Sequence, residues 1–257
     1  MERFALACTL VQKAGRILRK SRTTAHDVQQ KTSPQDLVTH WDKEIEQLLR
    51  DGISAAFPQD SIVGEEFPVS TRDPFGATWY LDPIDGTTNF ISQHQNYAVS
   101  VACWQSDQPL FGLVLDVENS NLYWAKSGEG AWCNDDPIHV SDRTEIQDWI
   151  FTTPDMTQAF LMSHPYQSDL IRLAQSVRGV RSLGSVALEL CSLASGRADV
   201  FAALRSSPWD HNAARIILTE AGGCICDLSG NPLPLGTQST VFACNSPHSM
   251  QTVLQLR

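Results

Sequence analysis

The chain has 257 residues, of which 42% are hydrophobic and 19% are charged. These proportions are ordinary for globular proteins and argue against a disordered chain, a fibre or a coiled coil. The formal net charge of -10 excludes the general basic surface of a nucleic-acid-binding protein. No run of about 20 apolar residues is present that could span a membrane.

Two amphipathic helices are predicted near the start of the chain. Apolar residues of the segment 7–18 recur at helical spacing, and Thr39 is a suitable N-cap for a second helix with Asp42 three residues later. Pro58 marks the end of that helix. The polar stretch 21–36 between the two helices predicts an exposed turn or hairpin.

Strands follow, and then helices and strands alternate. Apolar runs bounded by turn residues predict strands at 61–63, 79–81, 97–104, 111–117 and 122–125. Further along, helices are expected near 166–176, 185–195, 210–221 and 247–255, and strands near 198–203, 224–227 and 240–244. We therefore expect a layered mixture of α and β structure, with a soft boundary that divides 1–148 from 149–257.

The cysteines and the N-terminus bear on the cellular compartment. Seven cysteines at scattered positions indicate reduced thiols, and no signal-peptide pattern opens the chain, so we expect a cytoplasmic protein. Cys224 and Cys226 alternate along a predicted strand, which favours packing on one face over metal binding. No cysteine or histidine has the surroundings of a nucleophile, and His211 is expected to be a partly exposed helix residue.

Two carboxylates stand at the end of a predicted apolar strand. Asp82 and Asp85 are three residues apart, and Gly86 permits a tight turn after them. A helix opened by Thr87 or Thr88 would place free backbone N–H groups beside the carboxylates, where they can bind an anion. One short loop thus offers oxygen ligands for a cation next to donors for a phosphate, although such Asp-Pro and Asp-Gly pairs are also common in ordinary turns.

Two further acidic positions fit the same chemistry. Glu65 follows an apolar strand, and Asp210 follows Pro208 where a helix is expected to open. Mg²⁺ prefers octahedral coordination by oxygen, which carboxylates from several strand and helix ends can supply. Taken singly, Glu65 is more typical of an exposed acidic turn and Asp210 of a helix N-cap, so the metal interpretation depends on the whole set.

Taken together, these residues resemble the inositol monophosphatase family of Mg²⁺-dependent, Li⁺-sensitive phosphomonoesterases. The segment 82–90 matches the first family signature without a gap, and 209–210 with 219–223 resembles the second. Two short motifs, at 64–66 and 184–187, resemble further family elements. Isolated residues before the first signature also correspond to family positions: Lys31, Asp36, Val38, Thr39 and Asp42. The resemblance covers nearly the whole chain.

The resemblance implies a fold, a cofactor and partners. The fold is an αβαβα sandwich, an α/β or α+β architecture like that of inositol monophosphatases and fructose-1,6-bisphosphatases. The cofactor is two or three Mg²⁺ ions per active site, and the partners are a small phosphorylated metabolite and a second copy of the chain, with no nucleic acid and no membrane. The implied metal ligands are Glu65, Asp82, the carbonyl of Ile84, Asp85 and Asp210, with Asp82 bridging two ions.

The resemblance also implies how water and phosphate are handled. Thr87 would orient the attacking water, assisted by Glu65, Asp42 and Thr39. Positions that would bind the substrate are Asp85, the backbone N–H groups of Gly86 and Thr87, and the turn at Gly184 and Ser185. A phosphate monoester hydrolyses so slowly in water that positioning and charge neutralisation must supply most of the acceleration.

The substrate itself is the least defined part of the prediction. Seven residues before Asp210, where inositol phosphatases of the family carry an acidic residue that binds inositol hydroxyls, this chain has Ala203, and Arg205 follows closely. Arg205 is a candidate substrate residue for a second anionic group, or a solvated cation, or a contact with a partner subunit. We predict hydrolysis of a small phosphate monoester, as by an inositol monophosphatase. Fructose 1,6-bisphosphate, 3′-phosphoadenosine 5′-phosphate and histidinol phosphate remain alternative substrates, and a non-catalytic binding protein of the same fold remains an alternative class.

Overall fold

The protein is built from helices and sheets that are stacked in alternating layers. The structure is a computed structural model that describes residues 2–21, 28–30, 37–71 and 75–255, with the backbone alone at 28–30 and 37–38. The α-helices of these ranges are α1 (Arg3–Lys20), α2 (His40–Ala56), α3 (Thr87–Ser92), α4 (Gln167–Ser176), α5 (Val186–Ala194), α6 (Pro208–Glu220) and α7 (Pro247–Leu254). None of the described helices is long and apolar enough to cross a bilayer.

The first large sheet contains the strand that ends in Asp82 and Asp85. Its strands are β3 (Ser61–Gly64), β4 (Thr78–Asp85), β5 (Ala98–Gln105), β6 (Gln108–Asp116), β7 (Asn121–Lys126), β8 (Ala131–Cys133) and β9 (Asp136–Ile138). They lie side by side in that order, with β3 and β4 parallel and each later pair antiparallel.

A second sheet is formed by the later part of the chain. Its strands are β10 (Ile150–Thr152), β11 (Gly179–Arg181), β12 (Val200–Ser206), β13 (Cys224–Cys226) and β14 (Ser239–Cys244), in the spatial order β11-β10-β12-β14-β13. Near the N-terminus, β1 (Val28–Gln30) pairs antiparallel with β2 (Leu37–Thr39), in agreement with the predicted hairpin. Residues 31–36, and with them Lys31 and Asp36, lie outside the described residues.

Three apolar clusters hold the layers together. One joins α1 and α2 to the outer face of the first sheet, the second fills the space between the two sheets around α5 and α6, and the third joins the second sheet to α4 and α7. The order is therefore helix, sheet, helix, sheet, helix, which confirms the predicted αβαβα sandwich. Cys224 and Cys226 both pack into the third cluster, as their alternation along a strand predicted.

A glycine of the first sheet faces helix α6 and allows the two backbones to approach closely. A Cβ atom on Gly112 of β6 would come within 2.3 Å of the carbonyl oxygen of Ala213, so a larger residue there would push the helix away. Since α6 is covered by a sheet on each side, His211 is fully buried. The expectation that His211 is a partly exposed residue was wrong, because the sequence pattern of one helix does not reveal that both of its faces are covered.

Most predicted elements are present with ends shifted by a few residues. The strands β8, β9, β10 and β11, of three residues each, were not predicted, whereas β13, of the same length, was predicted at 224–227. A π-helical turn at Thr157–Leu161 was also not predicted. The division of the chain at residue 148 stays a prediction, and the cluster between the sheets draws residues from both sides of it.

Candidate active site

The last residues of β4 bring two carboxylates, those of Asp82 and Asp85, into the interior. The register of β4 against β5 shifts between Asp82 and Asp85, so the strand bulges at this point instead of continuing its ladder. Gly86 then adopts a left-handed conformation with φ of 93°, and α3 begins at Thr87. The carboxylate of Asp82 accepts a hydrogen bond from the N–H of Ile84 at 3.0 Å, which fixes the bend. Both aspartates are buried.

Asp85 is held by the start of α5, a helix from the other half of the chain. Its Oδ2 accepts hydrogen bonds from Ser185 Oγ at 2.6 Å and from the N–H of Ala187 at 2.7 Å. Ser185 is the N-cap of α5, and its hydroxyl oxygen also accepts from the N–H of Leu188 at 3.2 Å. The cap of α5 thus serves the helix and the carboxylate at the same time.

Asp210 reaches the site from the first turn of α6. Pro208 opens the helix, and Oδ2 of Asp210 accepts the N–H of Ser207 at 2.7 Å. Ser100 of β5 donates to the carbonyl of Trp209 at 3.3 Å, which ties this turn to the first sheet. The alternative that Asp210 is the N-cap was wrong, because Ser207 is the N-cap of α6. Asp210, three residues later, completes the capping box and also lies beside the other carboxylates.

Asp42, in the first turn of α2, contacts two threonines: Thr39, the N-cap of the same helix, and Thr87 of α3. Oδ2 of Asp42 accepts from both the N–H and the hydroxyl of Thr39, each at 2.7 Å, which is the predicted capping arrangement of α2. The other oxygen, Oδ1, faces the hydroxyl of Thr87 at 3.3 Å. The Thr87 hydroxyl also lies 3.1 Å from the carbonyl oxygen of Ile84. Asp42 and the Ile84 carbonyl can each accept the hydroxyl proton of Thr87, which leaves its oxygen able to accept from a ligand.

Glu65 follows β3 in a turn that is anchored by Glu46 of α2. The carboxylate of Glu46 accepts the N–H of Glu66 at 2.6 Å and that of Phe67 at 3.3 Å, and it pairs with Arg50 at 2.6 Å. Glu46 fits there because residue 64 is glycine, since a Cβ atom on Gly64 would lie 2.1 Å from Oε1 of Glu46. A buried acid on α2 therefore fixes the turn that presents Glu65.

The electrostatics show that these carboxylates converge. Burial raises the pKa of Asp82 well above its usual value, and the nearby charges of Glu65, Asp85 and Asp210 raise it further. Burial likewise raises the pKa of Asp210, with Asp85 and Glu65 adding to the effect. Burial also raises the pKa of Asp85, to about 6, although the hydrogen bonds from Ser185 and Ala187 oppose the change.

The donor set fits a hard divalent cation. No Lys or Arg of the described ranges forms an ion pair with Asp82, Asp85 or Asp210. Buried like charges of this kind repel unless cations lie between them, and all of the donors are oxygen atoms, as Mg²⁺ prefers. Over the same ranges, no group of three or more Asp, Glu, His or Cys side chains is placed so that it could hold a metal ion as it stands. The carboxylates of Asp82, Asp85 and Asp210 instead accept hydrogen bonds from N–H groups and from the N-cap of α5, so coordination of an ion would need these side chains to reorient.

Most of the predicted site residues come together, and one lies apart. Residues from both halves of the chain surround the end of β4: Thr39, Asp42, Glu65, Asp82, Ile84, Asp85, Gly86, Thr87, Gly184, Ser185 and Asp210. Arg205 is exposed and lies instead in the wall of a cavity of about 170 Å³, with Ala203, Gln158 and Asp155. Val186, which follows the Asp85-binding Ser185 in the chain, also lines this cavity, so the cavity lies beside the site.

Sequence reasoning missed the residues that support the site from behind. Glu46, Asn89 and Glu189 are buried polar residues whose hydrogen bonds hold the turns at 65–67 and 183–184. A signal was available for two of them, because Glu46 and Glu189 fall on apolar helix faces where an acid needs a partner. Asn89 gave no such signal, since its partner at Leu183 is distant in sequence.

Comparisons with known proteins identify the family of the chain and agree with its fold. The model of the inositol monophosphatase family matches residues 1–257. An inositol-1-monophosphatase of Bacillus subtilis (strain 168) is 35% identical over 246 residues, which cover 95% of this chain and 92% of the relative. Among solved structures, the inositol monophosphatase of Thermotoga maritima superposes with a TM-score of 0.87 at 28% identity, covering 100% of this chain and 96% of the other. Inositol monophosphatase II of Staphylococcus aureus MSSA476 superposes with a TM-score of 0.86 at 30% identity, covering 99% and 92%.

These matches span almost the whole of each chain. The relative found by sequence and the two solved structures are all inositol monophosphatases. The protein belongs to the inositol monophosphatase family and is an enzyme of the phosphoric monoester hydrolase class.

Proposed function

We propose that the protein hydrolyses a small phosphate monoester, as inositol monophosphatases do, with Mg²⁺ as its cofactor and water as the nucleophile. The observation that carries this proposal is the convergence of Glu65, Asp85 and Asp210 on the buried Asp82. That cluster lies beside the turn at Gly86, and proteins of this family are metal-dependent.

Two or three Mg²⁺ ions would be held by the carboxylates of Glu65, Asp82, Asp85 and Asp210 and by the carbonyl of Ile84. Asp82 is the proposed bridge because the other acids surround it. When bound, the ions neutralise the charge of the phosphoryl group and make water a stronger nucleophile. The ions would also relieve the repulsion between the buried carboxylates.

The residues of the chain itself would position water and phosphate. The Thr87 hydroxyl can donate to Asp42 or to the Ile84 carbonyl and accept from the attacking water, and Thr39 keeps Asp42 in place. Glu65 is proposed as a second partner of that water. The N–H groups of Gly86 and Thr87 would bind phosphate oxygens, next to the turn at Gly184 and Ser185. Because phosphoryl transfer needs little covalent help from protein groups, such positioning and charge stabilisation are the main contribution.

The leaving group would occupy the cavity that contains Ala203 and Arg205. Ala203 offers no polar group, and no described residue forms an ion pair with Arg205. An available guanidinium favours a second candidate, hydrolysis of a sugar bisphosphate or another ester with a second anionic group. Asp155 lies in the same wall, and its Oδ1 accepts the N–H groups of Thr157 and Gln158 at 2.8 and 3.0 Å.

Phosphate release from a small panel of esters tests both candidates. The panel is inositol 1-phosphate, fructose 1,6-bisphosphate, 3′-phosphoadenosine 5′-phosphate and histidinol phosphate, each with Mg²⁺, with a chelator, and with Mg²⁺ plus Li⁺. We expect Mg²⁺-dependent release that Li⁺ inhibits, with the preferred ester defining what the Arg205 cavity selects. Release that survives chelation, or no release from any ester with metal bound, would contradict the proposal.

Assembly and location are the remaining parts of the proposal. A homodimer and a cytoplasmic location stay predictions that follow from the family resemblance and from the cysteine pattern. Sedimentation equilibrium of the purified chain would test the homodimer directly.

A further inference from the structure

The turn at Leu183 and Gly184 is held from two opposite sides. The carbonyl oxygen of Leu183 accepts a hydrogen bond from Asn89 Nδ2 at 2.6 Å. The N–H of Leu183 donates to Glu189 Oε1 at 2.6 Å, and the N–H of Gly184 donates to the same oxygen at 3.2 Å. Both polar groups of one peptide unit are thus directed to side chains that come from different parts of the fold.

The two side chains that hold this turn are themselves anchored. Glu189 is fully buried on α5, and its Oε2 accepts the hydroxyl of Thr152, at the end of β10, at 2.5 Å. Asn89 is buried on α3, and its Nδ2 also donates to the carbonyl of Asn96 at 2.9 Å. Buried hydrogen bonds in such networks restrict motion, because breaking one leaves a polar group without water.

The turn leads directly to the group that binds Asp85. Gly184 has φ of 76°, and a Cβ atom on it would lie 3.0 Å from Asn89 Nδ2. The next residue, Ser185, donates to Asp85 Oδ2, as does the N–H of Ala187. A displacement of the turn would therefore move the donors that set the direction of the Asp85 carboxylate.

We propose that Asn89 and Glu189 are positioning residues that fix the Leu183–Gly184 turn and, through Ser185, the orientation of Asp85. The function of Asp85 as a metal and phosphate residue rests on the proposed function, whereas the structural linkage does not. Neither Asn89 nor Glu189 needs to touch the substrate for this role. The linkage also explains how a residue of the first sheet is aligned by a helix from the other half of the chain.

The test compares two glutamates that make the same kind of contact. Glu189→Leu removes the acceptor for the turn, and Glu189→Gln retains an amide oxygen that can accept both N–H groups. The matched control is Glu220→Leu. Glu220 is the last residue of α6, whereas Asp210 lies in the first turn of that helix. Glu220 accepts the N–H groups of Gly128 and Gly130 at 2.8 and 3.0 Å and so holds the turn between β7 and β8. It lies about 15 Å along the helix from Asp210.

Two measurements separate positioning from general stability. Amide hydrogen exchange at Gly184 and Ala187 is expected to accelerate in Glu189→Leu and to stay as in the wild type in Glu220→Leu. Turnover (kcat/KM) is expected to fall between about tenfold and a hundredfold in Glu189→Leu, because small misplacements of reacting groups have effects of that size. Glu189→Gln is expected to restore most of the rate, and Glu220→Leu to stay within about twofold of the wild type.

Other outcomes would overturn the proposal. Unchanged exchange at Gly184 and Ala187 in Glu189→Leu would exclude the linkage, and an equal loss of turnover in Glu220→Leu would reduce it to general stability. If Glu189→Leu does not fold, Asn89→Asp tests the same turn from the other side with little change of shape. Hydrogen exchange needs no substrate, so it tests the linkage even if the wild type releases no phosphate. The absence of phosphate release would refute the proposed function and would leave the test of the linkage intact.

Discussion

Ser185 Oγ donates to Asp85 Oδ2 at 2.6 Å, across a sequence separation of 100 residues. This contact joins the N-cap of α5 to the end of β4, and it brings the two halves of the chain into one site. Asp82 and Asp85 come from the first sheet, while Asp210 and Ser185 come from the two helices between the sheets. Neither half alone would contain the full set of carboxylates.

Asp82→Asn is expected to abolish phosphate release while the chain stays folded. The substitution removes the charge around which the other acids converge, with almost no change of volume. Because it also removes buried repulsion, the metal-free variant should unfold at a higher temperature than the metal-free wild type. Phosphate release and thermal unfolding check the two effects. The exposed Asp142→Asn is the control, and a near-normal rate in Asp82→Asn would refute the assignment of Asp82 as a bridging ligand.

Mg²⁺ is expected to stabilise the folded wild type. A ligand that binds only the folded state at a concentration of 100 times its Kd adds about 2.7 kcal/mol to the free energy of unfolding. Thermal unfolding with Mg²⁺ and with a chelator measures this difference. Asp210→Asn should lose most of it, since one carboxylate of the cluster becomes neutral, and an equal Mg²⁺ effect in that variant would place the ion elsewhere.

Thr87→Val is expected to lower kcat by between about a hundredfold and ten-thousandfold, the range typical of a group that positions or transfers a proton. The methyl group replaces a hydroxyl that lies 3.3 Å from Asp42 Oδ1 and 3.1 Å from the Ile84 carbonyl oxygen. Thr87→Ser keeps the hydroxyl and is the matched control. Steady-state kinetics with the preferred ester test the pair. Equal rates for the serine and valine variants would show that the hydroxyl does not take part.

The local motifs of the site were predictable, but the residues that support it were not. The segment Asp82–Thr87 and the caps at Thr39 and Asp42 follow from rules that act over three or four residues, and the structure places them as expected. The partner of Asn89, in contrast, is Leu183, and no local rule relates positions so far apart. Sequence spacing likewise could not show that Arg205 lies in the wall of a neighbouring cavity, together with Asp155, and not among the carboxylates.

Burial was the second quantity that the sequence left open. The apolar faces of α1 and α2 were read correctly because each helix has one covered face. Helix α6 lies between two sheets, so His211 is buried, and burial lowers its pKa to about 3 with the nearby Arg215 adding to the effect. Residue type and periodicity describe one helix, whereas the number of layers that cover it depends on the whole fold.

Gly64→Ala is expected to destabilise the protein by about 1–3 kcal/mol and to lower activity. The new Cβ atom would lie 2.1 Å from Oε1 of Glu46, a carboxylate that is fully buried and fixed by Arg50 and by the N–H of Glu66. Relief of the clash would shift the turn that carries Glu65. Urea unfolding and kcat measure the two effects. Gly236→Ala, where a Cβ atom would meet no atom within 4 Å, is the control and should be near neutral.

Glu189→Gln is expected to change how stability depends on pH. Burial raises the pKa of Glu189 from 4.5 to about 7, despite hydrogen bonds from Thr152, Leu183 and Gly184. Because the folded state retains this proton more tightly than the unfolded state, the contribution of Glu189 is fully present below pH 4.5 and is lost as pH rises to about 7. A shift of this size corresponds to about 3 kcal/mol.

Urea unfolding of the wild type and of Glu189→Gln at several pH values between 4 and about 8 measures this contribution directly. The quantity to follow is the free energy of unfolding of the wild type minus that of the variant. The titration of Asp82 and Asp210 is common to both proteins, and the charge of Asp85 enters this difference through its effect on the pKa of Glu189. This difference should fall across the window from pH 4.5 to about 7 and stay constant above it. A difference that is flat with pH would mean that Glu189 has the same pKa in both states. Its three hydrogen bonds would then offset the full cost of burying its charge, and Glu189 would stabilise the Leu183–Gly184 turn equally in its charged and in its protonated form.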